Sequence, residues 1–324
     1  MRLPFILKPA YKDYLWGGTR LIEEYGKQAD RLPLAESWEC STHPDGLSML
    51  EGGMSLKDAI EENPSRLGTH VLELTGGKAE LPILIKLLDA KEDLSIQVHP
   101  DDEYALRKEG ELGKTEMWYV LDAAPGAELL LGFHRSVTKA EVRKAAEEGR
   151  LSDLMNHVPV RKNEVYYIPA GTVHAIGKDT IVAEIQESSN LIYRLYDYDR
   201  KDGAGRLREL HIERALEVAE LEGGSISPQA MRVLRYRPGC ATELLIRCKY
   251  FMAERMLLQS GECESTEYKT GTTSFHALLC IEGCGCIHAK GFELSFCKGD
   301  CIFVPAESEI LTLSGKAQLL DVSC

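Results

Sequence analysis

The chain has 324 residues, a formal net charge of −13, and ordinary hydrophobic (44 %) and charged (27 %) content, which suits one large soluble domain or two to three ordinary ones. The acidic balance argues against wholesale binding to nucleic acid, whose phosphates demand a basic surface. No run of about 18 apolar residues is present, so no membrane span is expected.

The N-terminal "MRLPFILKPAYKDYLWGG" interrupts its short apolar patch at Pro4 and Pro9. That is a poor secretory leader and points to a cytoplasmic protein. Residues 1–135 read as turn-rich, with strand-like runs in "LPILIKLLDA" (81–90) and "EMWYVLDA" (116–123). One helical interruption, "SLKDAIEENPSRLG", begins with Ser55 as its N-cap. Within the otherwise apolar "PILIKLLD", Lys86 must either snorkel to the surface or point into a cleft, and the cleft is the better reading.

In "LSIQVHPDDEYA" (94–105), Leu94, Ile96 and Val98 alternate with Ser95, Gln97 and His99. A strand therefore carries a hydroxyl, an amide and an imidazole on one face. That face is either wet or lines a site. Pro100 ends the strand, and Asp101 and Asp102 read as turn residues. Two residues before Glu116, Lys114 shares its strand face.

Residues 137–155 have helical spacing, and Thr138 precedes Glu141 by three, the spacing of a capping box. Strands return over 158–198, and "RELHIERALEVAELE" (208–222) reads as a second helix. From about 231 the pattern is short strands and Gly turns. An internal repeat aligns "NEVYYIPAGTVHAIG" (163–177) with "GDCIFVPAESEILTL" (299–313), matching Pro169 to Pro305 but His174 to Ile310. Two related β-barrels follow, one with a site and one without.

Nine of the ten cysteines lie between Cys240 and Cys324, and the tightest cluster is Cys280, Cys284, Cys286 and His288. A cytosolic chain keeps thiols reduced. These cysteines read as small hydrophobes buried in strands rather than as a zinc knuckle.

The 163–177 segment resembles the second motif of the cupins, Gly-x5-Pro-x-Gly-x-x-His. Asn163 stands in for the first glycine, a mild change because Asn tolerates a left-handed turn. In a cupin, His174 would point into the barrel. Gln97 and His99 then fit the first motif, and Glu116 fits its carboxylate. Gln97, His99, Glu116 and His174 form a nitrogen and oxygen set suited to an ion such as zinc.

The resemblance is closer than a fold. "WGG" (16–18), "ESWECSTHPDGLS" (36–48), "LSIQVHPDDEYA", "GKTEMWYVLDA" (113–123), "EIQESSNLIYRLYDYDR" (184–200) and "RELHIERAL" (208–216) resemble the short bacterial form of the type I mannose-6-phosphate isomerases. The resemblance implies a mainly β, bi-cupin fold of two jelly-roll barrels, with a few helices in the N-terminal half and between the barrels. Residues 1–222 would form the catalytic cupin domain with helical insertions. Residues 223–324 would form a cupin-like β-domain lacking the metal site.

It also implies one zinc ion per chain on Gln97, His99, Glu116 and His174. The reaction would interconvert mannose 6-phosphate and fructose 6-phosphate through an enediol(ate). Arg194 matches the arginine given an active-site role in the family, and Lys114 and Lys86 join it as catalytic candidates. Ser95 and Arg200 are the candidates for substrate binding, although longer members carry a lysine six residues after the arginine. The expected partner is a sugar phosphate, with neither nucleic acid nor membrane, and the chain would be a monomer or homodimer. The competing readings are a non-catalytic sugar-phosphate-binding bi-cupin, an iron oxygenase and a metal-free storage-type bi-cupin.

Overall fold

The computed structural model describes residues 2–201, 204–224, 227–229, 232–259 and 265–324. Among these residues, three antiparallel sheets make up the fold. A six-stranded sheet runs in the order 165–168, 116–123, 180–187, 83–90, 36–40, 10–12. A five-stranded sheet runs 193–196, 96–98, 174–176, 128–133, 155–159. A ten-stranded sheet holds the C-terminal strands from Arg235–Arg237 to Leu311–Ser323, together with Phe5–Lys8 and Met49–Leu50. Those two strands cross the expected boundary at 222–223.

The apolar faces explain the layering. Leu88, Trp118, Val120 and Val182 from the six-stranded sheet meet Leu129, Leu131 and Ile176 from the five-stranded sheet, and Leu94 just ahead of its 96–98 strand, in one buried cluster. The other face of the five-stranded sheet, with Ile96, Val98 and Leu130, is covered by helices contributing Val142, Ala145, Ala215 and Leu216. The other face of the six-stranded sheet, with Ile83, Ile85, Met117 and Ile185, packs on Ala277, Phe303 and Leu320 of the ten-stranded sheet and on Phe275 just ahead of its 276–289 strand. Alternation sends Leu278 and Cys280 to the far side, into a fourth cluster. No helix among the described residues is long and apolar enough to cross a membrane.

The aligned repeat segments share a backbone. Both run strand, Pro-Ala, turn, strand: Val165–Ile168 into His174–Ile176, and Cys301–Val304 into Leu311–Ser323. Asn163 and Gly299 both take positive φ (72° and 98°), as do Gly171 and Glu307 (89° and 53°). The second copy keeps the turn and presents Ile310 to solvent where the first has His174.

Several elements differ from expectation. Ser55 does cap Leu56–Glu62, accepting from the Asp58 amide at 3.0 Å. But 1–135 holds further helices at Arg20–Tyr25, Thr69–Leu74 and Asp102–Lys108. Asp101 and Asp102 are not turn residues: the Asp101 carboxylate caps that last helix, accepting from the Tyr104 amide at 2.8 Å. The helix capped by Thr138 stops at Glu147, and Gly149 then turns left-handed (φ +67°). The second helix is only Ile212–Val218, because residues 208–211 are drawn into contacts with the 193–197 strand region. The C-terminal strands are not all short, since His276–Ala289 and Leu311–Ser323 span 14 and 13 residues. Their cysteines are not uniformly buried or reduced: Cys280 is buried, whereas Cys284 is exposed and forms a disulfide with Cys297.

Candidate active site

Two cross-strand rows build the site. In the five-stranded sheet, Arg194 lies opposite Gln97 and Gln97 opposite His174. Directly paired residues share a face, so an arginine, an amide and an imidazole are aligned inward. In the six-stranded sheet, Trp38, Lys86, Glu184 and Trp118 form a second row, each opposite the next. The rows face one another across a cleft of about 390 Å³ lined by Tyr14, Ser95, Gln97, Lys114, Arg194 and Arg208, among others.

Adjoining it, next to Lys114 and Trp118 of the lining, His99, Glu116 and His174 converge, all buried. His174 Nε2 is 3.3 Å from Glu116 Oε1, and His99 Nε2 is 3.6 Å from Glu116 Oε2. The Nδ1 of His174 faces the Thr172 carbonyl at 2.8 Å. That contact makes Nδ1 the N–H and leaves Nε2 a bare lone pair aimed at the carboxylate. Burial pushes His174 down to about 4, and pushes His99 well below its usual range with help from the Lys114 charge. Both imidazoles are therefore neutral and available as ligands.

The two imidazole lone pairs lack partners. His99 Nε2 and His174 Nε2 are buried with no hydrogen bond, while Glu116 Oε2 meets the Lys114 ammonium at 3.0 Å. Two buried lone pairs converging on one carboxylate are costly, unless a further cation sits among them. The residues present thus fit a dication with nitrogen and oxygen preference, such as zinc, with Gln97 on the same face as a further oxygen donor.

Around this set lie two lysines and two glutamates. Lys114 Nζ is 3.0 Å from Glu116 Oε2. Lys86 Nζ stands 3.2 Å from Glu184 and 3.7 Å from Glu36. It points into the cleft, over the Trp38 ring at 4.9 Å. Burial opposes its charge, but Glu36, Glu184 and Glu116 outweigh burial and raise its pKa. Burial likewise works against ionised Glu184, yet Lys114 and Lys86 prevail and hold it near 2. Lys86 is therefore a fixed ammonium in the free protein.

Beyond the lysines, Arg194 reaches Ser95 Oγ at 3.3 Å and the Glu209 carbonyl at 2.9 Å. Arg200 stands apart from the cleft lining. Its guanidinium is taken by Asp197 and the Asp93 carbonyl, and it stacks on Tyr198. Arg208 lines the cleft instead, anchored on the same Asp197 carboxylate. Glu184 and Arg208 escaped sequence reasoning. A glutamate inside the apolar "TIVAEIQE" was as odd as Lys86 and could have been paired with it. Arg208 had no local signal.

Comparison with known proteins gives the same direction. Residues 5–125 match the family model described as phosphomannose isomerase type I, catalytic domain. Residues 241–324 match that of the mannose-6-phosphate isomerase cupin domain. The chain is 37 % identical over 322 residues to mannose-6-phosphate isomerase ManA of Bacillus subtilis, covering 98 % of both. The crystal structure of the mannose 6-phosphate isomerase from Bacillus subtilis superposes with a TM-score of 0.87 at 33 % identity, covering 99 % of each chain. A zinc-bound mannose 6-phosphate isomerase has the same fold, with a TM-score of 0.77 at 19 % identity over 98 % of each chain.

Proposed function

This chain belongs to the type I phosphomannose isomerase family, and we propose that it interconverts mannose 6-phosphate and fructose 6-phosphate. The observation that carries the reading is the convergence of His99, Glu116 and His174, both imidazole Nε2 atoms buried without a partner, beside a cleft walled by lysines and arginines. We assign the metal to Gln97, His99, Glu116 and His174. A zinc ion there supplies a Lewis acid for the sugar's carbonyl and hydroxyl oxygens.

An aldose–ketose isomerisation moves a proton between C2 and C1 through an enediol(ate), and its barrier falls when fixed positive charge faces the developing oxyanion. Lys86 supplies such a charge, since three carboxylates keep it protonated. Lys114, beside Glu116, is the group to which we assign proton transfer. Arg194 adds a delocalised cation that Ser95 and the Glu209 carbonyl orient. Arg194, Arg208 and the Ser95 hydroxyl form the wall suited to the phosphate. Arg200 acts at one remove, sharing the Asp197 carboxylate that fixes Arg208. Trp16, Trp118, Leu88 and Ile176 contribute apolar wall that keeps water from the reacting carbons.

On this reading residues 1–222 carry the chemistry and 223–324 form a companion β-domain without a metal site of the same kind. The protein works in the cytoplasm as a monomer or homodimer. The test is a coupled assay for fructose 6-phosphate on protein stripped of metal and then restored with zinc. Activity is expected to vanish and return. Turnover that survives complete metal removal would sink the metal-centred mechanism, and absence of turnover with zinc restored would sink the isomerase.

A further inference from the structure

The cysteine-rich hairpin of the ten-stranded sheet takes no part in the cleft. His276–Ala289 returns as Phe292–Cys297, pairing Cys284 with Cys297, Cys286 with Ser295 and His288 with Glu293. These six side chains therefore share one face. Between them in sequence, Ile287 and Phe296 are buried on the opposite face. The disulfide between Cys284 and Cys297 staples the ladder two residue pairs from Cys286.

On the open face, a thiol of Cys286, a ring nitrogen of His288 and a carboxylate oxygen of Glu293 all lie within 4.8 Å of one another. His288 Nδ1 is 3.5 Å from Glu293 Oε2. The other ring nitrogen, Nε2, faces Ser314 Oγ at 3.4 Å on the neighbouring strand. If Nε2 carries the proton towards that hydroxyl, Nδ1 presents its lone pair to the carboxylate and thiol. Orienting an imidazole through its second nitrogen is how ligating histidines are commonly fixed. All three groups stand on paired strands rather than on a loop, so little ordering remains to be done on binding.

We propose that Cys286, His288 and Glu293 form a second metal site, for a borderline divalent ion of the zinc type. A thiolate, an imidazole and a carboxylate select such an ion over magnesium or calcium, which take oxygen ligands. Binding forms a metal–sulfur bond and releases the Cys286 proton to solvent. Three protein ligands leave a fourth position for water, so the site is open rather than closed. It shares no residue with the isomerase cleft.

Cobalt(II) titrated under argon into enzyme given one equivalent of zinc per chain, enough for the cleft alone, reads the site directly, because a thiolate ligand adds a sulfur-to-cobalt charge-transfer absorption. Wild type should take up one more ion per chain than Cys286→Ser or His288→Gln, and only wild type should show the charge-transfer band. Isomerase turnover should be equal in all three. Equal metal content in wild type and both variants overturns the proposal, and so does a band that persists in Cys286→Ser. Should Cys286→Ser fail to fold, His288→Gln retains the thiol and decides by stoichiometry alone.

Discussion

Among single residues, Glu187 shows how strongly the fold sets protonation. Burial, and then the neighbouring Asp102 carboxylate, push its pKa up to about 8. One of its oxygens accepts from the Thr115 amide at 2.7 Å, next to Glu116. Near neutral pH the folded state therefore holds a proton here that the unfolded chain has released. Because the folded state binds more protons, stability falls as pH rises from the unfolded value near 4.5 to about 8. The expected slope is roughly 1.4 kcal/mol per pH unit at most. Glu187→Gln imitates the protonated acid: its amide oxygen accepts from Thr115 and its NH2 donates to Asp102. Urea unfolding at several pH values should show wild type and variant similar near pH 5, with the variant increasingly the more stable by pH 9. Parallel pH profiles would refute the buried acid.

Individual strands and connections determine how closely the catalytic groups approach, and Gly113 is one of the tight points. A Cβ there would stand 2.4 Å from the backbone of Asp101 and Asp102. That approach lets the Lys114 amide donate to the Pro100 carbonyl at 2.9 Å, tying the segment before Glu116 to the strand end that carries His99. Gly113→Ala must push the two segments apart. Misplacement of about 1 Å can cost on the order of 100-fold in rate, so kcat should fall by about that factor, with weaker zinc retention on dialysis. Unchanged kcat and zinc content would show that the connection is slack. The same elements show what was legible beforehand. Ser95, Gln97 and His99 stood out because strand alternation is local, as did Lys86 in an apolar run. The meeting of Glu184 with Lys86 depends on strand register across nearly a hundred residues of chain, which no local pattern encodes. The 208–222 helix was overread for a related reason. Its propensity is helical, but Arg208 and the Glu209 carbonyl are claimed by Asp197 and Arg194. The helix beginning at Asp102 was missed because an aspartate pair after proline reads equally well as a turn or a cap.

The whole molecule joins its two ends through one apolar layer. Phe5 stacks on Phe303 at 5.3 Å and Phe303 on Phe275 at 5.1 Å, so three rings from distant parts of the chain sit in a row. The same buried cluster continues into Ile83, Ile85 and Met117, on the strands that carry Lys86 and Glu116. Neither sheet can therefore lose this layer without exposing the back of the other. Cooperative unfolding in a single calorimetric transition follows, even though the chain is long enough for two domains. Phe303→Ala empties the middle of the row, 0 % exposed, at a cost of about 3–5 kcal/mol. Its single transition should move to lower temperature as a unit, with loss of isomerase activity on heating tracking loss of the β-sheet circular dichroism signal. If the variant instead shows two transitions, with activity surviving the first, the C-terminal sheet is an independent domain and the shared layer does not couple it to the site. Because removing the C-terminal sheet uncovers the same layer, residues 1–222 produced alone should aggregate rather than yield a smaller active enzyme.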